Sequence, residues 1–188
     1  MIINFKISES DLKKISTYLE SQTFNKGDVF IEAGKRNDKI GILIDGILIS
    51  TYISEKGKEE VSRIYSKENG FTIVSNHESF YHGSESTEKI FAVEKSILMV
   101  LTKDHINVIL EEYPEYQTYA KEFSEQSYIH AIDRIKQFQS FSAKERIENY
   151  YNTNNALFNR ISIKHLSSFL GTNRNAFTKF LKDIQRKG

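Results

Sequence analysis

The chain has 188 residues, of which 39% are hydrophobic and 27% charged, and it contains no cysteine. This composition predicts a globular protein with one large domain, or a medium domain with a small appendage, and it excludes a disordered chain. The lack of cysteine excludes a disulfide framework, a thiolate zinc site and a cysteine-ligated iron–sulfur cluster. The sequence has no long apolar run and no apolar leader segment, so we expect no membrane partner and a cytoplasmic location.

The net charge of +1 conceals an uneven distribution along the chain. Residues 160–188 contain seven of the 26 basic side chains but one of the 25 acidic ones, about +6, which leaves about −5 on residues 1–159. A basic end on an acidic body predicts contact with a polyanion such as nucleic acid. A solvated basic helix is the other interpretation that charge alone allows.

Residues 24–101 have the pattern of an antiparallel β structure. Short runs rich in Ile, Val, Phe and Tyr alternate with glycine-containing turn signals, which is typical of a sandwich or barrel. Within this region the apolar runs 40–44 and 47–53 flank Asp45-Gly46, a dipeptide that tolerates the positive φ of a tight turn. The sequence therefore predicts a β-hairpin at this turn.

Helical periodicity replaces the strand pattern after residue 101. Thr102 is placed to cap a short helix that ends near Tyr113, and the only proline, Pro114, suits the first turn of the next helix. From there to residue 139 two apolar stripes run along an uninterrupted long helix. One stripe can pack on the sandwich, and the other predicts a homodimer in which it pairs with its copy. The alternative is that both stripes pack against their own chain. The predicted dimer-helix residues are Tyr116, Tyr119, Phe123, Ser127, Tyr128, Ile132 and Ile135.

Three further helices are predicted at the C-terminal end. Residues 142–145 (SAKE) have the spacing of a capping box that opens a helix, and residues 152–155 (NTNN) predict a polar break after it. Ser162 is placed to cap the next helix, which Gly171 ends, and a basic helix follows over 174–186.

The segment 161–184 (ISIKHLSSFLGTNRNAFTKFLKDI) has the packing pattern of a helix-turn-helix. Leu166 and Leu170 share one face of its first helix, Phe177 begins the apolar face of the second, and Gly171 permits a left-handed turn between them. The opposite face of the second helix carries amide, hydroxyl and basic groups that suit base edges and phosphates in a major groove. A structural helical hairpin with a solvated basic face is the alternative. The predicted DNA-binding residues are Asn173, Arg174, Asn175, Thr178, Lys179 and Lys182.

The order of sandwich, long helix and helix-turn-helix resembles the Crp/Fnr family of bacterial transcription regulators over nearly the whole chain. In the first part of the chain, the resemblance rests on residues 26–30 with Gly34, 42–46, 57–59 and 90–96. In the second part, it rests on Leu166, Leu170, Gly171, Arg174, Phe177, Lys179 and Leu181.

The resemblance implies an α+β protein that is a regulator and no enzyme. Its parts would be an antiparallel jelly roll of the cyclic-nucleotide-binding type with flanking helices (1–113), a dimerisation helix (114–139) and a helix-turn-helix domain (140–188). The implied partners of the homodimer are double-stranded DNA with a two-fold symmetric operator, RNA polymerase and an unidentified small-molecule effector. Arg174 matches the family's base-contacting arginine, Lys179 matches a second basic contact, and Asn175 stands where many members have a glutamate, which changes the preferred base.

The stretch 70–85 (GFTIVSNHESFYHGSE) stands where cyclic-nucleotide-binding members have a phosphate cassette. That cassette supplies an arginine for the cyclic phosphate, but here no arginine occurs between Arg63 and Arg134. We therefore expect cyclic nucleotides to bind poorly and leave the effector and any cofactor unassigned. The predicted effector pocket comprises Gly70, Phe71, Glu78, Ser84, Glu85 and Lys89.

Two histidines in the same stretch raise a metal site as a second hypothesis. His77 and His82 are five residues apart, with Glu85 three further on, whereas metal-binding barrels of the cupin type usually place two histidines two apart on one strand. Polar loop histidines are therefore the favoured interpretation, and we assign no metal ligand and no catalytic residue. A metal-dependent cupin-like enzyme with an accessory helical tail is the alternative function.

Overall fold

The computed structural model describes residues 9–186, so the first eight and last two residues of the predicted domains lie outside it. Eight strands occur in the described chain: β1 (Glu20–Phe24), β2 (Val29–Ile31), β3 (Lys39–Asp45), β4 (Leu48–Ile53), β5 (Glu59–Tyr65), β6 (Ile73–Val74), β7 (Lys89–Ala92) and β8 (Ser96–Thr102). Its α-helices are α1 (Glu9–Lys14), α2 (His77–His82), α3 (Lys103–Glu112), α4 (Tyr116–Ser140), α5 (Ala143–Asn154), α6 (Ile163–Phe169) and α7 (Arg174–Gln185).

The strands form two antiparallel four-stranded sheets, ordered β1-β8-β3-β6 and β2-β7-β4-β5. Alternate side chains of both sheets point into a shared apolar interior, where Leu43, Leu48 and Leu98 are fully buried. Tyr65 fills part of this interior, and its hydroxyl donates to the Ser75 carbonyl at 3.1 Å. The predicted antiparallel sandwich is confirmed.

The hairpin predicted at Asp45-Gly46 is wrong, because β3 and β4 belong to different sheets. The dipeptide instead forms a corner at which the chain crosses from one sheet to the other. Gly46 has φ +95°, and a Cβ at this position would lie 2.6 Å from the Lys95 carbonyl oxygen. The corner therefore needs glycine both for its backbone angle and for the close approach of the chain before β8. A true hairpin joins β4 to β5 at residues 54–58.

The stretch 70–85 is folded rather than a plain polar loop. It contains the short strand β6 and the helix α2, whose first turn is capped where the Asn76 side chain accepts from the Ser79 backbone N–H at 2.9 Å. Gly83 ends α2 in the left-handed conformation. His77 and His82 therefore lie at opposite ends of one helix.

The long helix α4 divides into two halves with different surroundings. Tyr116 is 7% exposed and packs in a cluster with Ile109 and Leu101 of the same chain, which Tyr119 also joins. Phe123 stacks on His77, with 5.3 Å between ring centroids. These three aromatic residues of the predicted dimer stripe are therefore engaged within their own chain. The C-terminal half is different, because Tyr128 is 68% exposed and Ile135 is 51% exposed.

The helices that follow α4 begin where the caps predict. Ser142 and Glu145 form the capping box of α5, and the Ser162 hydroxyl accepts from the His165 backbone N–H at the start of α6. The polar break predicted at 152–155 is wrong, because α5 continues to Asn154 and a 3₁₀ turn, Asn155–Asn159, follows directly.

A single apolar cluster joins the C-terminal helices to the sandwich. Ile49 and Ile64 from the outer face of the second sheet belong to the same buried cluster as Ile147, Leu166 and Phe177 from α5, α6 and α7. All five side chains are at most 1% exposed. The helix-turn-helix unit is thus packed on the sandwich and is not separated from it by a linker.

Candidate nucleic-acid interface and sensor junction

Helix α7 presents a polar face to solvent because its apolar face is buried. Phe177 is fully buried and Ile184 is 8% exposed, and both pack against the neighbouring helices. Arg174, Asn175, Lys179 and Lys182 are exposed, while Thr178 is half-buried and donates to the Arg174 carbonyl at 2.9 Å. The structure thus brings five of the six predicted DNA-binding side chains together on or beside one surface of one helix.

Asn173 differs from the other five because it has a structural task. Its side-chain oxygen accepts from the Ala176 backbone N–H at 2.9 Å and so caps the first turn of α7. An asparagine directly before a helix is a common N-cap, and this signal was available in the sequence.

The turn between α6 and α7 is held by two arginines that the sequence analysis did not single out. Arg134 of α4 donates to the Phe169 carbonyl at 2.8 Å, and its guanidinium lies 4.2 Å from the Phe169 ring centroid. Arg146 of α5 donates to the Leu170 carbonyl at 3.0 Å and to the Gly171 carbonyl at 3.2 Å. Cations are favourable at these carbonyls because they lie at the negative end of α6. The long helix is thereby tied directly to the helix-turn-helix.

Polar contacts also fasten α6 to strand β5 of the sandwich. The Ser168 hydroxyl accepts from the Val61 backbone N–H at 2.8 Å and donates to the Glu60 carboxylate at 2.7 Å. Lys164 donates to Glu59 at 2.6 Å, and this contact lowers the pKa of the Glu59 carboxyl. The first helix of the helix-turn-helix is therefore fixed in place relative to the sheet.

Arg160 completes this connection from the segment before α6. Its guanidinium forms ion pairs with Glu94 and Glu68, which follow strands β7 and β5, and these two carboxylates raise the arginine's pKa. All three side chains are about one-third exposed, so the pairs are partly shielded from solvent.

Removing this bridge should weaken the folded state. In the variant Arg160→Gln, we expect the free energy of unfolding to fall by about 1–3 kcal/mol, because two carboxylates lose a charge-assisted partner. Urea unfolding of the variant and of Lys95→Gln, an exposed neighbour with the same charge change, provides the measurement. Equal stability of the two variants would show that Arg160 contributes nothing beyond its charge.

The residues of the predicted effector pocket do not converge on one point. Phe71 packs under the long helix, with its ring 4.5 Å from the His130 ring centroid, and Gly70 precedes it. Glu78 and Glu85 are exposed, and the Ser84 carbonyl accepts from Ser79 within the turn after α2.

Lys89 was predicted to line the effector pocket, and this prediction is wrong. Its ammonium lies 5.4 Å from the centroid of the Phe91 ring, and Phe91 packs against the cluster beneath the helix-turn-helix. Because side chains alternate across a strand, Lys89 lies on the outer face of the sheet and points away from the interior.

Arg63 is a cation beside the pocket residue Phe71 that was not among the predicted pocket residues. It lies on β5 two residues before the interior Tyr65, and its guanidinium is 5.7 Å from the Phe71 ring centroid and 6.0 Å from that of Tyr65. The alternation of side chains along β5 could have identified it, because a residue two positions from an inward-pointing side chain lies on the same face of the strand.

His77 is a titratable group whose pKa is strongly lowered by its surroundings. Its Nε2 atom is buried without a hydrogen-bond partner in the described chain, and the ring stacks on Phe123. Burial lowers the pKa of His77 to about 4. The positive charge of Arg63 adds to this decrease, and the negative charge of Glu88 opposes it.

This burial predicts a loss of stability in mild acid. The unfolded histidine takes up a proton near pH ~6.5 and the folded one near pH 4, so between these values the unfolded state binds more protons and stability falls as the pH falls. From pH 7.5 to 5 we expect His77 to cost about 2 kcal/mol, measured by urea unfolding. His77→Gln should remove this loss, whereas His82→Gln, at the exposed end of the same helix, should retain it. A similar loss in both variants would contradict the assignment to His77.

Among residues 9–186, no cluster of three or more His, Cys, Asp or Glu side chains is arranged to hold a metal ion. In the same part of the chain, no helix is both long and apolar enough to cross a lipid bilayer.

Comparisons with known proteins identify the fold. No family model and no curated protein matches the sequence. Among solved structures, FixK2 from Bradyrhizobium japonicum is similar over 90% of this chain and 86% of its own, with 10% identity and a TM-score of 0.74. The c-di-GMP-responsive global regulator CLP of Xanthomonas campestris is similar over 96% and 93%, with 10% identity and a TM-score of 0.72.

A third structure, a transcriptional regulator of the Crp/Fnr family from Eubacterium rectale, covers 97% of this chain and 85% of its own, with 17% identity and a TM-score of 0.70. Identities this low establish architecture and not activity. The chain has the Crp/Fnr fold, in which a β-roll of the cyclic-nucleotide-binding type precedes a C-terminal helix-turn-helix unit.

Proposed function

We propose that the protein is a homodimeric, sequence-specific DNA-binding transcription regulator. The observation that carries this proposal is the exposed face of α7, where basic and amide side chains stand on a helix whose apolar face is buried in a helix-turn-helix. Such a surface has the chemistry and the shape that a major groove accepts. The solved structures of the same fold include transcription regulators, which supports the proposal.

Each exposed side chain of α7 has a role in this proposal. Arg174, in the first turn of α7, is the proposed base-reading residue, because its fork can donate twice to a guanine. Asn175 suits an adenine, while Lys179 and Lys182 suit phosphates on either side. Asn173 caps the start of α7 and Thr178 bonds to its first turn, and the polar atoms of both side chains can also reach the DNA backbone.

The second half of α4 provides the proposed dimer surface. Tyr128, Ile132 and Ile135 recur at intervals of four and three residues on one face, and Ile129 lies beside them at 40% exposure. Pairing this face with its copy would bury the exposed apolar side chains and place two α7 helices on one side of the dimer. Ser127, which is half-buried, borders the same face.

Regulation in this proposal uses the connection between α4 and the helix-turn-helix turn. A change in the long helix would move Arg134, and with it the end of α6, so that the two α7 helices would fit or miss successive major grooves ~34 Å apart. RNA polymerase is a proposed partner, cyclic nucleotides are expected to bind poorly, and no residue is assigned a catalytic role. A cupin-like enzyme is not favoured, because its metal would need a donor set that residues 9–186 do not assemble.

Selection of binding sites from random double-stranded DNA tests this function. We expect the purified protein to enrich a pseudo-palindromic sequence whose half-sites are about 10 base pairs apart. The enriched site should bind with steep salt dependence, because phosphate contacts release counterions. Failure to enrich any sequence, with and without extract metabolites, would refute sequence-specific binding.

A further inference from the structure

A cleft lies where the sandwich, the long helix and the helix-turn-helix meet. It has a volume of about 710 Å³, a size usual for small-molecule sites. We call it the arginine cleft, because Arg63 of β5, Arg134 of α4 and Arg146 of α5 all line it. It lies at the edge of the roll interior that Tyr65 fills, and Phe71 is the one residue of the predicted effector pocket among its lining residues.

The positive charge of the cleft is not neutralised by the protein. In the described part of the chain, none of the three arginines forms an ion pair with a carboxylate, although Asp133 also lines the cleft. Partly buried cations normally have an anionic partner, because desolvation otherwise disfavours their charge. Burial lowers the pKa of Arg134 to about 10, and the charges of Arg63 and Arg146 act in the same direction.

The arginines differ in how many donors they have left. Arg146 gives three N–H groups to the carbonyls of Phe141, Leu170 and Gly171 and is occupied by them. Arg134 gives one terminal nitrogen to Phe169, and Arg63 lies over aromatic rings and interacts with the Tyr65 hydroxyl but has no carboxylate partner. Arg63 and Arg134 can therefore donate to an incoming anion without breaking the turn of the helix-turn-helix.

The remaining wall is aromatic and carries a buried hydroxyl. The rings of Phe71, His130, Phe138 and Phe169 line the cleft, and the Tyr150 hydroxyl is buried there beside the Asn69 side chain. Burial raises the pKa of Tyr150 to about 12, so the hydroxyl keeps its proton and can donate it. Apolar rings with a few convergent donors are typical of sites for small organic anions.

We infer that the arginine cleft binds a small organic anion, whose charged group lies against Arg63 and Arg134 and whose apolar ring lies among the aromatic side chains. Its occupant would contact the sheet, the long helix and the end of α6 at once. The inference that this anion is the regulator's effector rests on the proposed function; the binding itself does not.

A pair of fluorescent probes tests the binding. Anilinonaphthalene sulfonate carries an anion on an aromatic body, and N-phenyl-naphthylamine is its neutral counterpart. We expect the parent protein to bind the sulfonate at one site per chain, and Arg63→Gln to weaken this binding at least about tenfold. Arg63→Lys should lose less, and Arg36→Gln, an exposed arginine in the turn after β2, should bind as the parent does. Binding of the neutral probe should change little in all three variants.

Three results would overturn the inference. The first is the absence of stoichiometric sulfonate binding, and the second is equal binding by Arg63→Gln and Arg36→Gln in proteins with unchanged circular dichroism. The third is displacement of the dye by sodium phosphate at the dye's own concentration, which would show an inorganic anion site. If one of these results is found but the protein binds its selected operator normally, the cleft site is refuted and the proposed function stands. If the sulfonate binds as expected but no operator is enriched, the cleft site stands and the proposed function is refuted.

Discussion

The variant Arg174→Ala is expected to lower affinity for the selected operator by about 100-fold or more. One bidentate arginine–guanine contact contributes about 1–3 kcal/mol, and a dimer on a two-fold symmetric site loses two of them. The folded state should be unaffected, because the Arg174 side chain is exposed and only its backbone carbonyl is used within α7. Titration of labelled operator at fixed salt measures the loss, together with binding to a scrambled sequence.

Two comparison variants separate base reading from general charge. Lys179→Ala should weaken binding to all sequences and reduce the slope of affinity against salt by about two for a dimer, because it removes a phosphate contact from each chain. Arg36→Ala removes the same charge far from α7 and should leave the operator affinity unchanged. If Arg174→Ala and Lys179→Ala both bind the operator as well as the parent, α7 is not the DNA-reading helix.

Glutamate at the exposed half of the long helix should convert the protein into a monomer. In Tyr128→Glu/Ile135→Glu, two like charges per chain would face their copies across an apolar interface, which costs several kcal/mol. At micromolar concentration we expect sedimentation to report a mass near 21.8 kDa, the mass of a single chain. Operator affinity should fall at least about 100-fold, because two half-sites would no longer be held together.

The control places glutamate on an exposed apolar residue elsewhere in the chain. Ile53 at the end of β4 is 68% exposed, compared with 51% for Ile135, and lies outside the proposed interface. Ile53→Glu should therefore remain a dimer and bind the operator normally. If the double variant remains a dimer, the chains associate through another surface and α4 is not the dimer interface.

Local signals predicted those parts of the fold that depend on neighbours in sequence. The capping box at Ser142, the cap at Ser162 and the left-handed Gly171 each follow from contacts within a few residues, and each occurs where it was predicted. The corner at Gly46 shows the limit of such reasoning. A tight hairpin and a crossing between sheets require the same backbone angle at this glycine, and only the distant chain before β8 distinguishes them.

The candidate sites divide in the same way. The exposed face of α7 follows from helical periodicity, so its residues could be identified one by one. The arginine cleft could not, because Arg63, Arg134 and Arg146 come from three elements that no sequence spacing relates. The two apolar stripes of α4 are visible in the sequence, but the pattern does not show which stripe is buried within the chain and which remains exposed. Tyr116 and Tyr128 are both tyrosines of one helix, yet one is 7% exposed and the other 68%.

The apolar cluster shared by the sheet and the C-terminal helices has a consequence for how the protein comes apart. Cutting the chain after α4 would expose Ile49 and Ile64 on one fragment and Leu166 and Phe177 on the other, all of which are almost fully buried in the intact protein. Exposing a buried side chain of this size costs about 1.5–3 kcal/mol, so neither fragment would keep its structure at little cost. The helix-turn-helix unit and the sandwich are consequently one cooperative unit, and heat or denaturant should unfold them together.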